Sequence, residues 1–118
     1  ADFEKASMFG AEGDVVHNAI AWAKATCRKP VKRDGPGAVK HAQNACEMTD
    51  FQKWEYIDTL AAAHAANGDF ENAAQMIELA IKLAPESQHE YLKKCGAWYQ
   101  NDLPYQNDND NQQAIANR

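Results

Sequence analysis

The chain has little of what marks a membrane span, a disulfide scaffold, a metal site or a nucleic-acid binder. No apolar run in its 118 residues is long enough to cross a bilayer, and no charged-then-apolar leader opens them. Its three cysteines, Cys27, Cys46 and Cys95, stand far apart, and an odd count cannot pair completely within one chain. Cys27 and Cys46 fall at opposite ends of an expected helix hairpin, which puts a disulfide between them out of reach. Free thiols of this kind fit a reducing, cytoplasmic setting. Zinc sites need close, repeated ligand pairs, whereas His41 and Cys46 are five apart and His89 and Cys95 six apart, so neither pair shares a helix face. Basic residues are also in deficit. With 12 Lys and Arg against 17 Asp and Glu, net charge −5, the chain lacks the positive field that binding to phosphate backbones requires. No motif assembles a nucleophile, a base and an orienting group, so neither catalysis nor a cofactor is expected.

Valine and isoleucine are sparse and alanine is frequent, which favours helix over strand. Apolar residues make up 45% of the chain, but alanine supplies many of them. The length allows one domain with one core, and that core should consist of closely approaching helices.

Turn residues and apolar spacing divide the chain. Asp14 caps a helix running to about Cys27, with Val16, Ile20 and Ala23 on one side and Trp22 on another. Arg28 to Gly37 holds Pro30, Gly35, Pro36 and Gly37 and reads as a loop. A helix follows from Ala38 to about Thr49. The next begins near Asp50 and stops at Asn67-Gly68, where glycine supplies the left-handed conformation. Asp69 caps a further helix that Pro85 ends, and Glu86 to Gln100 forms another. Residues 106–118 are rich in Gln, Asn and Asp, too polar to bury anything, and are expected to be disordered.

Spacing also exposes a repeat. Ala38, Ala42, Ala45 and Met48 recur as Ala73, Ile77, Ala80 and Leu83 at a constant offset of 35 residues. Counted from Trp54, the positions of Ile57, Leu60, Ala61, His64, Gly68, Phe70, Ala73, Ile77, Ala80 and Pro85 match a unit of about 34 residues. The chain thus resembles the tetratricopeptide-repeat family, and a bacterial branch of it. The likeness is carried by Asn18-Ala19-Ile20-Ala21-Trp22, Ala25-Thr26-Cys27, Arg33-Asp34-Gly35, Ala45-Cys46-Glu47, Asp58-Thr59-Leu60-Ala61-Ala62-Ala63-His64, Gly68-Asp69-Phe70 and Pro104-Tyr105. It implies an all-α, right-handed superhelix of antiparallel helix hairpins over residues 1–105. Within that span the frame gives a partial repeat at 1–13, repeats at 14–50 and 54–87, and a capping helix at 88–100. In the last of these Tyr91, Cys95 and Trp98 hold repeat positions, while Lys94 stands where leucine is expected, so one face should stay wet. Phe3 and Ala6 keep the repeat's spacing to Ile20 and Ala21, so the chain reads as a piece of a longer array. Its first turn, Cys27 to Gly37, is longer than the family standard.

Two surfaces are candidates for function. In the repeat frame Asn18, Trp22, Ala25, Glu55, Asp58, Ala62 and Ala65 face the groove. The alanines would form a shallow floor, Trp22 an aromatic wall, and Glu55 with Asp58 a negative charge. A protein or peptide segment with apolar and basic side chains would complement that surface. No basic residue stands among these positions, so the family's clamp for a C-terminal carboxylate is absent. The second candidate is the basic loop, where Arg28, Lys29, Lys32 and Arg33, flanked by Lys24 and Lys40, face the single acid Asp34. It could take phosphate, an acidic partner or a membrane surface. The family resemblance implies instead that Arg33 and Asp34 tie the long turn to its own helices. The leading expectation is a non-catalytic interaction module. Self-association is the competing one, with the truncated first helix completing its repeat on another copy.

Overall fold

Alanine sets how closely these helices approach one another. The computed structural model describes residues 13–29 and 32–117, and among them it contains helices and no strand. The order is α1 (Gly13–Thr26), α2 (Gly35–Met48), α3 (Trp54–Ala66), α4 (Phe70–Leu83), a 3-10 turn Glu86–Gln88, α5 (His89–Gln100) and α6 (Asp108–Ala116). The radius of gyration is 14.0 Å, near the roughly 13.5 Å of a compact chain this long. No helix among the described residues is long and apolar enough to cross a membrane.

From α1 to α5 each helix packs on its successor, and α1 also packs on α3. The contact stripes are narrow: Ala21 and Ala25 of α1, Ala38, Ala42 and Ala45 of α2, and Ala61 to Ala63 of α3 are all buried. Ile57, Leu60, Ile77 and Leu92 fill the space between them, each enclosed to within 2% and each worth about 1.5–3 kcal/mol on burial. The pairing of α1 with α2 is partly polar. His17 and His41, both buried, meet with Nδ1 to Nδ1 at 2.8 Å, so one ring donates to the other.

Several boundaries differ from the sequence expectation, each for a local reason. Gly13 is already helical, and Asp14 is no cap; its Oδ2 accepts from the Tyr56 hydroxyl at 2.9 Å, joining α1 to α3. The buried stripe of α1 is Gly13, His17, Ala21 and Ala25, not the side bearing Val16, Ile20 and Ala23. Helix α2 starts at Gly35 because Asp34 caps it, accepting from the Gly37 amide at 3.0 Å, and Pro36 is tolerated in the first turn. Helix α3 starts at Trp54 rather than near Asp50, since Asp50 and Phe51 both take positive φ (53° and 55°) in the connecting turn. At its far end Gly68, at φ 78°, turns the chain as expected, and Asp69 caps α4 by accepting from the Asn72 amide at 3.2 Å. The largest departure is at the C-terminus. Where the composition of residues 106–118 predicts disorder, Asp108–Ala116 is helical. Asn107 caps it, accepting from the amides of Asn109 and Asp110 at 2.8 and 3.4 Å. The partial repeat expected over residues 1–13, with Phe3 and Ala6, lies outside the described residues apart from Gly13.

Candidate interaction surface

Helices α1, α3 and α5 are linked by contacts between α1 and α3 and by a hydrogen bond between α3 and α5. That bond runs from the Tyr91 hydroxyl to Asp58 Oδ2 at 2.9 Å. Asp58 is only 6% exposed, and burial pushes its carboxyl from 3.8 up to about 6, against the opposing pull of the Tyr91 hydrogen bond. Its other oxygen, Oδ1, is buried with no hydrogen-bond partner among the described residues, as is Oδ1 of Asn18 on α1. Burial also raises the Tyr91 hydroxyl well above its usual range, and the Asp58 charge adds to that.

The chain leaves α5 at Asn101, reverses through Asp102 (φ 59°) and returns toward α1. Leu103 N donates to Trp98 O at 2.9 Å, and the next residues carry Tyr105 between two indoles. Its ring meets Trp22 of α1 edge-on at 4.9 Å between centroids and Trp98 of α5 edge-on at 5.6 Å. Edge-to-face pairs at such distances are attractive beyond the area they bury. The Tyr105 hydroxyl is close enough to that of Tyr91 to hinder its ionisation further. One aromatic side chain therefore joins α1 to α5. Beyond it, Lys94 Nζ of α5 pairs with Asp108 of α6 at 3.0 Å and lies 5.9 Å from the Trp98 ring centroid.

Of the residues the sequence places in the groove, Trp22 is half-buried and occupied by Tyr105, Asn18 is half-buried, and Glu55 is exposed. The others are corrected. Ala25, Ala62 and Ala65 belong to the buried core, so they let helices approach and form no open floor. Asp58 is enclosed and hydrogen-bonded, so it offers no negative surface to a basic partner. In the basic loop Arg28, Lys29 and Lys32 are exposed. Arg33 Nε donates to Cys27 O at 2.9 Å, and Asp34 pairs with Lys24 at 3.1 Å, so both residues tie the turn to its own helix. Arg28 and Arg33 nonetheless border a cavity of about 670 Å³ that Tyr105, Gln106, Asn107 and Asp110 also line.

Sequence reasoning missed that the C-terminal segment belongs to this surface. A signal was present: Asn107 followed by Asp108 and Asp110 is a cap with acidic first-turn residues, and Pro104-Tyr105 precedes it. All three cysteines are free, and burial lifts Cys46 and Cys95 to about 12. Comparison with protein-family models, with curated proteins and with solved structures finds no match.

Proposed function

We propose that the chain is a non-catalytic interaction module, a tetratricopeptide-like right-handed stack of helix hairpins whose α1–α3–α5 face receives a segment of a partner protein. Repeat hairpins bury one face against their neighbours and keep the other for recognition. The observation that carries this reading is the non-helical stretch Leu103–Asn107 lying on that face, its tyrosine held between Trp22 and Trp98. Peptide-binding surfaces commonly combine aromatic walls with a few fixed polar groups. Asp58 suits a structural role, being enclosed and tied to Tyr91.

The reading is tested by selecting a displayed library of random peptides on the full chain, then measuring the enriched peptides against Trp22→Ala and Lys94→Glu chains. Binders should lose about tenfold or more in affinity with either substitution. Binders indifferent to both, or no binder at all, would remove the assignment.

A further inference from the structure

The C-terminal segment closes on itself and rests on the helices through a few partly buried side chains. Asn111 is fully buried although it lies in the tail. It accepts from Gln106 Nε2 at 2.6 Å and donates to Pro104 O at 2.9 Å, so the turn into α6 closes on itself. Its moorings to the helices include Leu103, Tyr105 and Ile115, which are partly buried against the core, and the Lys94–Asp108 pair, whose side chains are 44% and 42% exposed. Ion pairs that open to water are weak and screened by salt.

The charge immediately beside the returning segment is opposite to that of the chain, although Glu55 stays exposed on α3. Overall the protein carries −5, yet burial withdraws Asp58, and the groups bordering the returning segment are Lys94, Arg28 and Arg33. Arg28 makes no hydrogen bond or ion pair with the described residues, and Asp110 lines the same cavity. The occupant in place is matched to this field. It supplies an aromatic ring at Tyr105 and carboxylates three and five residues later, at Asp108 and Asp110.

We infer that Leu103–Ala116 is an internal stand-in for the partner, which is an acidic peptide whose aromatic side chain replaces Tyr105 between Trp22 and Trp98 and whose carboxylates meet Lys94, Arg28 and Arg33. This rests on the proposed interaction role and gives it a partner chemistry, together with a gate. A tethered segment competes at an effective concentration on the order of millimolar. A partner must therefore displace it, and its apparent affinity falls by the fraction of time the face is open.

The probe is a fluorescein-labelled synthetic peptide with the sequence of residues 102–117, titrated by anisotropy against full-length chains. A Tyr105→Ala/Asp108→Lys chain, with its own segment weakened, should bind the peptide about tenfold or more tightly than the unaltered chain does. Binding should fall when the peptide carries alanine in place of its tyrosine, when salt is raised, and when Lys94→Glu is added to the chain. A variant with unchanged helical circular dichroism that gains no affinity, or that binds the alanine peptide equally well, would overturn the inference. Should that variant lose its helical signal, native-state hydrogen exchange of the unaltered chain decides. Amides of residues 108–116 exchanging through a local opening, well ahead of α1–α5, support a displaceable segment; exchange only by global unfolding refutes it. Library peptides that depend on Trp22 but are not displaced by the tail peptide would sink this inference and leave the interaction role intact. Tail-peptide binding with no Trp22-dependent library binder would remove the interaction role, and the partner with it, and leave only a tail that closes on its own helices.

Discussion

Asp58 makes the stability of this protein depend on pH in a direction unusual for a carboxylate. Its folded-state value of about 6, against an ordinary 3.8, means that the native state holds a proton which the unfolded state releases between those values. Stability from this group therefore rises as pH falls through 6 and is complete below 3.8. The full effect is about 3 kcal/mol, of which about 1.3 kcal/mol appears between about pH 7 and about pH 5. Asp58 is nearly enclosed, so solvent screening takes little from this figure. Asp34 and Asp69 act in the opposite sense: their backbone and side-chain hydrogen bonds hold both below the usual value, so their contribution is lost only as pH falls below 3.8. The comparison that isolates Asp58 is urea unfolding of the native chain and an Asp58→Asn chain, followed by circular dichroism from about pH 7.5 down to about pH 4.5. Asparagine can still accept from Tyr91 but does not titrate. The native chain should gain on the variant by roughly 1–2 kcal/mol across that range. A difference that stays flat, or that narrows with acid, would show Asp58 to be solvated and would break the account of how α3 meets α5.

Three further outcomes follow from the packing. His41→Ala leaves the buried His17 Nδ1 without the ring it meets at 2.8 Å and should cost about 1–3 kcal/mol in chemical denaturation; a loss under about 0.5 kcal/mol would mean that water takes the place of the ring. Gly35→Ala puts a Cβ 2.7 Å from the Asn67 Cα and should lower the melting temperature by several degrees, a cost of about 1–3 kcal/mol. Gly96→Ala, which meets only a side-chain methyl of Ile77 at 3.2 Å, should be much milder, and equal losses would contradict the close approach of α2 to the end of α3. Alkylation of the native protein should modify Cys27 and spare the enclosed Cys46 and Cys95 until denaturant is added; mass spectrometry showing all three modified at similar rates would refute the burial of the α2 and α5 thiols.

Much of the helical framework was legible because its signals are local. Gly68 and Asp69 mark the hairpin between α3 and α4 in a way any reading of turn chemistry finds, and the alanine offset between α2 and α4 reports shared packing directly. What stayed hidden depended on distant partners. Asp14 reads as a cap until Tyr56, forty-two residues away, is seen to use its carboxylate. His17 is polar by composition and buried only because His41 is opposite it. Asp58 and the alanines of α1 and α3 sit where the family resemblance implies an open groove, but numbering within a repeat carries no information about depth. The tail misled most. Its Asn and Asp residues looked like solvent-loving filler, whereas Asn107 caps a helix and Asn111 satisfies its own turn, and only the indoles of α1 and α5 reveal where Tyr105 belongs.

The decisive observation is the position of one ring. In nuclear Overhauser spectra of the full chain, aromatic protons of Tyr105 should show cross-peaks to the indoles of both Trp22 and Trp98, with upfield ring shifts from the edge-on stacking. Cross-peaks to neither indole, together with shifts typical of an unstructured tyrosine, would place the segment in solvent and contradict the occupied face on which the functional reading stands.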